Sequence, residues 1–241
     1  MSLKGSYIVL TLSQYYHVTI MDITAAITAR HSTRAFLDRE VEEEKIHHVL
    51  DVARWAPSGV NMQPWHVAVV RGTSKQQITE ALLAAREAGQ KEDPDYRYYP
   101  EEWFEPYKSR RKATGLALYQ ALGISREETQ ARLEAWYNNY RFFGAPVGLL
   151  VFIDRRLGQG SWIDTGMFLQ CLMLAAESEG LATCPQASLA EYPGIVRRIL
   201  GVEEPFALVC GISLGYPDTE AAVNNYRTPR EPVESFTSWH N

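Results

Sequence analysis

The sequence predicts an α+β protein, a sheet flanked by helices, and three observations carry that expectation. Three short apolar runs, His66–Val70, Val147–Ile153 and Phe206–Leu214, have strand length and are bounded by turn residues. Seven longer stretches around them carry helical spacing or capping signals. Few strands, many helices and a mixed order fit α+β rather than a regular strand–helix alternation. No internal repeat, low-complexity segment or linker interrupts the chain, so a single domain is expected over residues 21–241. Residues 1–20 read as an N-terminal extension with no assigned function. Their apolar run, Tyr7–Leu12, is too short to cross a bilayer, and a lone Lys4 without a small-residue cleavage site fits a signal peptide poorly.

The 241 residues suffice for a substantial core, and 46% hydrophobic with 22% charged residues is the composition of a folded chain. A net charge of −5 gives no global attraction for nucleic acid or an anionic membrane, so any basic site must be local. Cys171, Cys184 and Cys210 are an odd number with no CxxC pair, which argues against a disulfide framework or a zinc site. They read as buried, inert thiols of a protein kept in a reducing cytoplasm.

In chain order, Asp22 is placed to cap a helix from Ile23 to Arg30, with Ile23, Ala26 and Ile27 on its apolar face. A second helix is expected over Val41–Trp55, burying Ile46, Val49, Leu50 and Ala53, with Glu42–Glu44 at the dipole-favoured end. Ser74 or Lys75 to Gly89 turns Ile78, Leu82 and Leu83 inward. Helical signal returns over Lys108–Leu122, and Ser125 with Glu128 forms a capping box for a helix reaching about Phe142. Trp162–Glu179 is apolar around most of its circumference, so it is central, and Gly180 ends it. Leu181–Ser188 reads as a short run closing in a proline turn. Pro193 opens a short helix that Gly201 closes. The tail from Tyr216 has no apolar period yet carries Phe236 and Trp239, so it is expected to lie over another surface, of its own subunit or a partner.

The chemistry-bearing stretches are local. Arg30-His31-Ser32-Thr33-Arg34 puts two guanidiniums, an imidazole and two hydroxyls in one pentapeptide, an anion-binding composition where a helix ends. Pro57–Trp65, with two prolines, Gly59 and Asn61, is a shaped polar loop on the lip of a strand. Residues 90–107 crowd tyrosines, Trp103, Phe104 and prolines into an aperiodic connection, a lid over a pocket or a packed cover of the core. There is no GxGxxG after a strand, no phosphate-loop lysine and no GxSxG elbow. His47-His48 fall on the exposed side of a helix, a solvated pair rather than a metal site. With no evident nucleophile or base, the chemistry points to a cofactor.

Four stretches in order, Arg30–Arg34, Pro57–His66, Gly180–Ala187 and Gly215–Pro217 with Asn224, Arg227 and Arg230, resemble the FMN-dependent nitroreductase family. Cys184-Pro185-Gln186-Ala187 and the Asn-x-x-Arg-Thr-x-Arg tail look most like its nitrobenzoate and nitroarene reductase branch. The resemblance implies a central, mostly antiparallel sheet, a homodimer with FMN at the subunit interface, and a C-terminal arm extending over the partner. It implies that Arg30 and Ser32 bind the phosphate end of FMN, with His31 among the cofactor-binding residues. Arg34 would lie near flavin N1/O2, where negative charge collects on reduction. Ser58 and Gly59 would reach the FMN from the other subunit, with Asn61 shaping their loop. Pro185, Gln186 and Ala187 would face N5 through backbone groups, and Arg230 with Arg227 would close over the phosphate. Ala187 departs from those members that carry a glutamate there. The implied activity is ping-pong hydride transfer from NADH or NADPH to a nitroaromatic or quinone-like small-molecule acceptor, with no catalytic protein residue required, no nucleic acid and no membrane. Reductive dehalogenation, flavin reduction or ene reduction on the same scaffold, or a non-catalytic FMN- or anion-binding protein, are the alternatives.

Overall fold

The computed structural model describes residues 22–240. The expected N-terminal extension lies outside them. The sheet has four strands, β1 Trp65–Arg71, β2 Val147–Asp154, β3 Ala182–Gln186 and β4 Phe206–Gly215, in the order β1-β2-β4-β3, and every neighbouring pair is antiparallel. The helices are α1 Ile23–Ala29, α2 Glu43–Ala53, α3 Gly72–Glu87, α4 Tyr107–Ala121, α5 Thr129–Tyr137, α6 Gln159–Ser178 and α7 Pro193–Leu200.

Both faces of the sheet are covered, which is why β2 and β4 read as continuous apolar runs. On β2, Leu149, Val151 and Ile153 point to one face, where they meet Ile46 and Val49 of α2 and Phe168 and Leu172 of α6. Leu150 and Phe152 point to the other, against Ile78 and Leu82 of α3 and Val196 of α7. The period-two alternation of a strand thus feeds two separate cores. Gly148 permits the second one to close, because a Cβ there would sit 2.3 Å from the Phe142 ring.

Several expectations change. Leu181–Ser188 is not a proline turn: Ala182–Gln186 pairs with β4 as the edge strand β3, with Cys184 opposite Ser213. An edge tolerates Pro185, whose missing N–H faces no strand. The expected buried strand at 66–70 is the opposite edge, where Val70 is buried and Val69 is exposed. Asp22 does cap α1, its Oδ1 accepting from Ala25 N at 3.0 Å, but only Ala26 is buried there, and Ile23 and Ile27 are 69% and 50% exposed. The Glu128 carboxylate accepts from Ser125 N at 2.7 Å as a capping box requires, yet α5 starts at Thr129 and ends at Tyr137. The chain then turns through Phe142 and Phe143, both with positive φ, which no helix continues.

The aromatic connection is packed at its root and open at its tip. Asp95, with its side chain 6% exposed, accepts from Leu208 N at 2.8 Å and pairs with Arg197 at 2.5 Å and Arg155 at 3.0 Å. The Tyr96 hydroxyl donates to Val209 O at 2.6 Å, and its ring lies 4.6 Å from that of Trp162. Tyr98 and Tyr99, beyond that root, are exposed. The tail is tied to α4 through Arg110 and Glu231 at 3.1 Å, while Phe236 and Trp239 find no burial in their own chain. Burial raises the Cys184 and Cys210 thiols to about 11 and about 12, so neither is a thiolate near neutrality, and all three cysteines are free. Among the described residues no helix is long and apolar enough to cross a membrane, and no cluster of potential metal ligands forms.

Candidate functional site

The pentapeptide Arg30–Arg34 is held extended between the sheet edge and the start of the tail. Arg30 ends α1 with its N–H on Ala26 O, and the chain runs alongside β3, where Thr33 N donates to Thr183 O at 3.0 Å. From the other side, Asn224 reads the backbone of the same strip. Its Oδ1 accepts from Arg34 N at 2.8 Å, and its Nδ2 donates to Ala35 O and Asp218 O, both at 2.8 Å. Leu37 N to Tyr216 O and Asp218 N to Ala35 O continue the seam. Main chain on both flanks fixes the direction of the side chains between them.

Those side chains line a cleft of about 560 Å³, with Arg30, His31, Ser32 and Arg34 on one wall and Arg227 and Arg230 on the other. Among the described residues none of these four guanidiniums has a carboxylate within salt-bridge distance. Arg34 donates to Ser32 O at 3.2 Å and the Tyr226 hydroxyl at 3.1 Å. Arg227 donates to Asn224 O at 2.9 Å, and Arg230 to Thr228 Oγ1 at 2.9 Å. Among the described residues, Arg30 Nε and His31 Nε2 are buried with no hydrogen-bond partner. Burial holds His31 below its ordinary pKa, and Arg227 and Arg30 push the same way. Burial also raises Glu177, which Arg30 and Arg227 only partly oppose. An excess of unpaired guanidinium donors, with the Arg30 Nε–H orphaned in the wall, is complementary to a multivalent anion such as a phosphate monoester. The residues present therefore fit the phosphate end of FMN.

A second cavity of about 420 Å³ adjoins it, and Arg34 lines both. Pro185, Gln186 and Ala187 form its floor, with Tyr98 and Tyr99 at its rim. The Gln186 amide is committed to structure, Nε2 donating to Asn139 O at 2.6 Å and Oε1 accepting from Ser213 Oγ at 2.5 Å. Only its backbone remains for a ligand, in line with the expected backbone contacts of this turn. A cavity of mixed polar and apolar lining that shares Arg34 with a cationic cleft matches a ring system carrying a phosphate tail.

Ser58, Gly59 and Asn61 line neither cavity, so one chain does not bring them to Arg30–Arg34. Their loop is nonetheless rigidly shaped. Gly59 N donates to the buried Asp164 Oδ2 at 3.1 Å, and Gln63 N to Ser58 Oγ at 2.9 Å. Val60, Asn61 and Gln63 all have positive φ, and Val60 is 93% exposed. A β-branched residue held left-handed in solvent is strain without compensation from its own chain, the kind of feature found at functional surfaces. Three contributors escape the sequence reading. Tyr226, which holds Arg34, sits inside the tail motif without a recognisable signature. Asn224 belongs to that motif but acquires its role only through contacts 190 residues away. Glu191, on the second cavity, carries no local signal at all.

The profile of the nitroreductase family matches residues 27–216. A 4-nitrobenzoate reductase of Pseudomonas putida is 39% identical over 90% of this chain and 94% of its own length. The crystal structure of an FMN and NADPH-dependent nitroreductase from Sphigopyxis sp. strain HMH superposes with a TM-score of 0.89 at 38% identity, over 92% of this chain and 100% of that one. That of an FMN-dependent nitroreductase from Mycobacterium smegmatis in complex with NADPH gives 0.86 at 38% identity, over 90% and 97%. Motif order, sheet topology and these matches agree, and the chain belongs to the nitroreductase family.

Proposed function

We propose that residues 21–241 form one FMN-binding domain of an oxidoreductase that takes electrons from NADH or NADPH and passes them to nitroaromatic or quinone-like acceptors. The observation that carries this reading is that Arg34 lines both the donor-rich cleft and the second cavity. FMN bound there would supply hydride acceptance and donation in a ping-pong cycle. The protein's part is positioning and charge. Arg30, His31 and Ser32 hold the phosphate end, Arg227 and Arg230 cover it from the tail, and Arg34 faces the ring where charge collects. Pro185, Gln186 and Ala187 present backbone to the reacting edge. With Ala187 offering no carboxylate, that edge is left open to an acceptor stacking flat.

The same reading includes a homodimer. Ile23, Ile27, Trp55, Ile163, Phe236 and Trp239 are all exposed in the single chain, more bulky apolar surface than a monomer normally leaves wet. A partner covering them would bring its Ser58–Asn61 loop to this FMN and receive this chain's C-terminal arm. Three free cysteines suit a cytoplasmic location.

Purified protein is expected to be yellow or to become so with FMN, and to bleach anaerobically with NADH or NADPH. A preparation that takes up no flavin overturns the assignment, and flavin that neither donor bleaches turns the reading to a binding protein. Arg230 donates only to its near neighbours Thr228 and Pro229, so Arg230→Ala should leave the fold intact. Losing one charge-assisted phosphate contact should weaken FMN binding by roughly tenfold or more. The flavin that remains should be reduced at the wild-type rate, and an unchanged FMN affinity would remove Arg230 from the phosphate site.

A further inference from the structure

Reducing a nitro group takes more than a hydride. In ArNO2 + H− + H+ → ArNO + H2O, the hydride brings two electrons, one N–O bond breaks, and the oxygen leaves as water only if one further proton arrives. A quinone needs the same extra proton to become a hydroquinone. The cavity floored by Pro185–Ala187 is lined by few groups able to give it. Glu92 is committed to an ion pair with Arg86. The Tyr96 hydroxyl donates to Val209 O, and burial pushes it and Tyr99 above the ordinary phenol range. Tyr98 is exposed at the surface.

Glu191 differs from all of these. It lines the cavity from the turn that follows Ala187, its main-chain carbonyl accepts from Asp93 N at 3.1 Å, and its carboxyl is half-buried. The hydroxyl of Tyr140, a fully buried residue, donates to Oε2, and among the described residues none hydrogen-bonds to Oε1. We infer that Glu191 is the acid that protonates the acceptor, with Tyr140 as the residue that positions it, an inference that rests on the function proposed above. One oxygen is anchored to the core, and the other carries the proton towards the cavity. When the proton leaves, the Tyr140 O–H already points at the carboxylate that forms, and solvent at the open mouth replaces the proton.

The groups facing Glu191 set its charge. Burial raises its pKa most, the Tyr140 hydrogen bond opposes that, Glu92 raises it further and Arg86 of α3 opposes. The balance is upward, so the neutral acid persists to higher pH than for a solvated glutamate. A raised carboxyl contributes stability that is whole below its unfolded value and is lost as pH rises through the folded one.

Two variants and three readouts test this. Pre-reduced enzyme is mixed anaerobically with a nitroarene or with ferricyanide, which accepts electrons and needs no proton. Glu191→Gln should slow the nitroarene reaction by ~100-fold and leave the ferricyanide reaction at the wild-type rate. Equal slowing with both acceptors, or with neither, overturns the assignment. Tyr140→Phe, which keeps the acid but removes the donor favouring its anion, should move the alkaline fall of the nitroarene rate to higher pH. An unmoved fall overturns the positioning role, even if Glu191→Gln does not fold. Independently of flavin, urea stability of the flavin-free protein should decline, relative to Glu191→Gln, as pH rises from the ordinary glutamate range through the folded value. Parallel curves overturn the neutral acid. Loss of bleaching by NADH and NADPH in the wild type would instead sink the function on which the inference rests.

Discussion

Arg34→Ala is expected to slow reduction of the bound flavin by NADH or NADPH about 100-fold while the protein still takes flavin up. The main chain at this position is held by Asn224 and by Thr33 N on Thr183 O, not by the guanidinium. The side chain itself holds only the Tyr226 hydroxyl and Ser32 O, so truncating it removes a charge and little structure. Arg34 lines both cavities, and the proposed function sets its charge beside the ring rather than beside the phosphate. A fixed cation beside the ring stabilises the reduced, anionic cofactor more than the oxidised, neutral one. Removing it should therefore lower the two-electron potential by about 60 mV, the equivalent of a hundredfold change. Arg34→Lys should recover part of the potential, since it restores the charge without the planar fork. Stopped-flow reduction and a dye-coupled potential measure both effects. Flavin loss with an unchanged potential in the retained fraction would place Arg34 at the phosphate instead.

Much of this arrangement is legible in the sequence, for reasons that differ by element. β2 and β4 are central strands covered on both faces, so their burial needs no knowledge of neighbours. α6 is apolar around most of its girth, yet only the face carrying Phe168, Leu172, Ala175 and Ala176 is buried, and Ile163 is 68% exposed. β3 is hidden because Pro185 reads as a turn, and only the sheet order shows that its missing donor faces an edge. α1 shows the opposite failure. Its apolar spacing is real, but Ile23 and Ile27 do not meet the core of their own chain. Periodicity reports that a face is to be buried without saying against what. At the site, the donor-rich composition of Arg30–Arg34 and the order of the four stretches are readable because each is contiguous. The rest depends on contacts between distant segments. Asn224 meets Arg34, Tyr140 meets Glu191, and Asp95 meets Arg197, and no local pattern encodes any of these pairings. The positive φ at Val60 is equally silent, since valine is the residue least expected there.

Asn224→Ala is expected to destabilise the flavin-free protein by about 3 kcal/mol, more than any other single truncation around the cleft. The side chain is 4% exposed and makes three hydrogen bonds, to Arg34 N, Ala35 O and Asp218 O. Alanine leaves the Arg34 N–H unpaired in a place that water reaches poorly, at about 1–3 kcal/mol before relaxation, and takes a second hydrogen bond of about 0.5–1.5 kcal/mol each from Ala35 O and Asp218 O, which keep Asp218 N and Ala221 N as donors. In a chain of this size the loss corresponds to a fall in Tm of roughly 6–12 °C. FMN affinity should fall with it, because Arg227 donates to Asn224 O and takes its place on the cleft wall from the same turn. Asn224→Asp separates the two halves of the contact. It keeps an acceptor for Arg34 N–H but sets a carboxylate against the carbonyls of Ala35 and Asp218, so it should recover none of the lost stability at neutral pH and regain some of it as the carboxyl protonates in acid. Calorimetry on the flavin-free protein and flavin titration report the two effects separately. A Tm within about 2 °C of wild type, with FMN affinity retained, would mean that the tail is held to Arg34 by its backbone seam and not by this side chain.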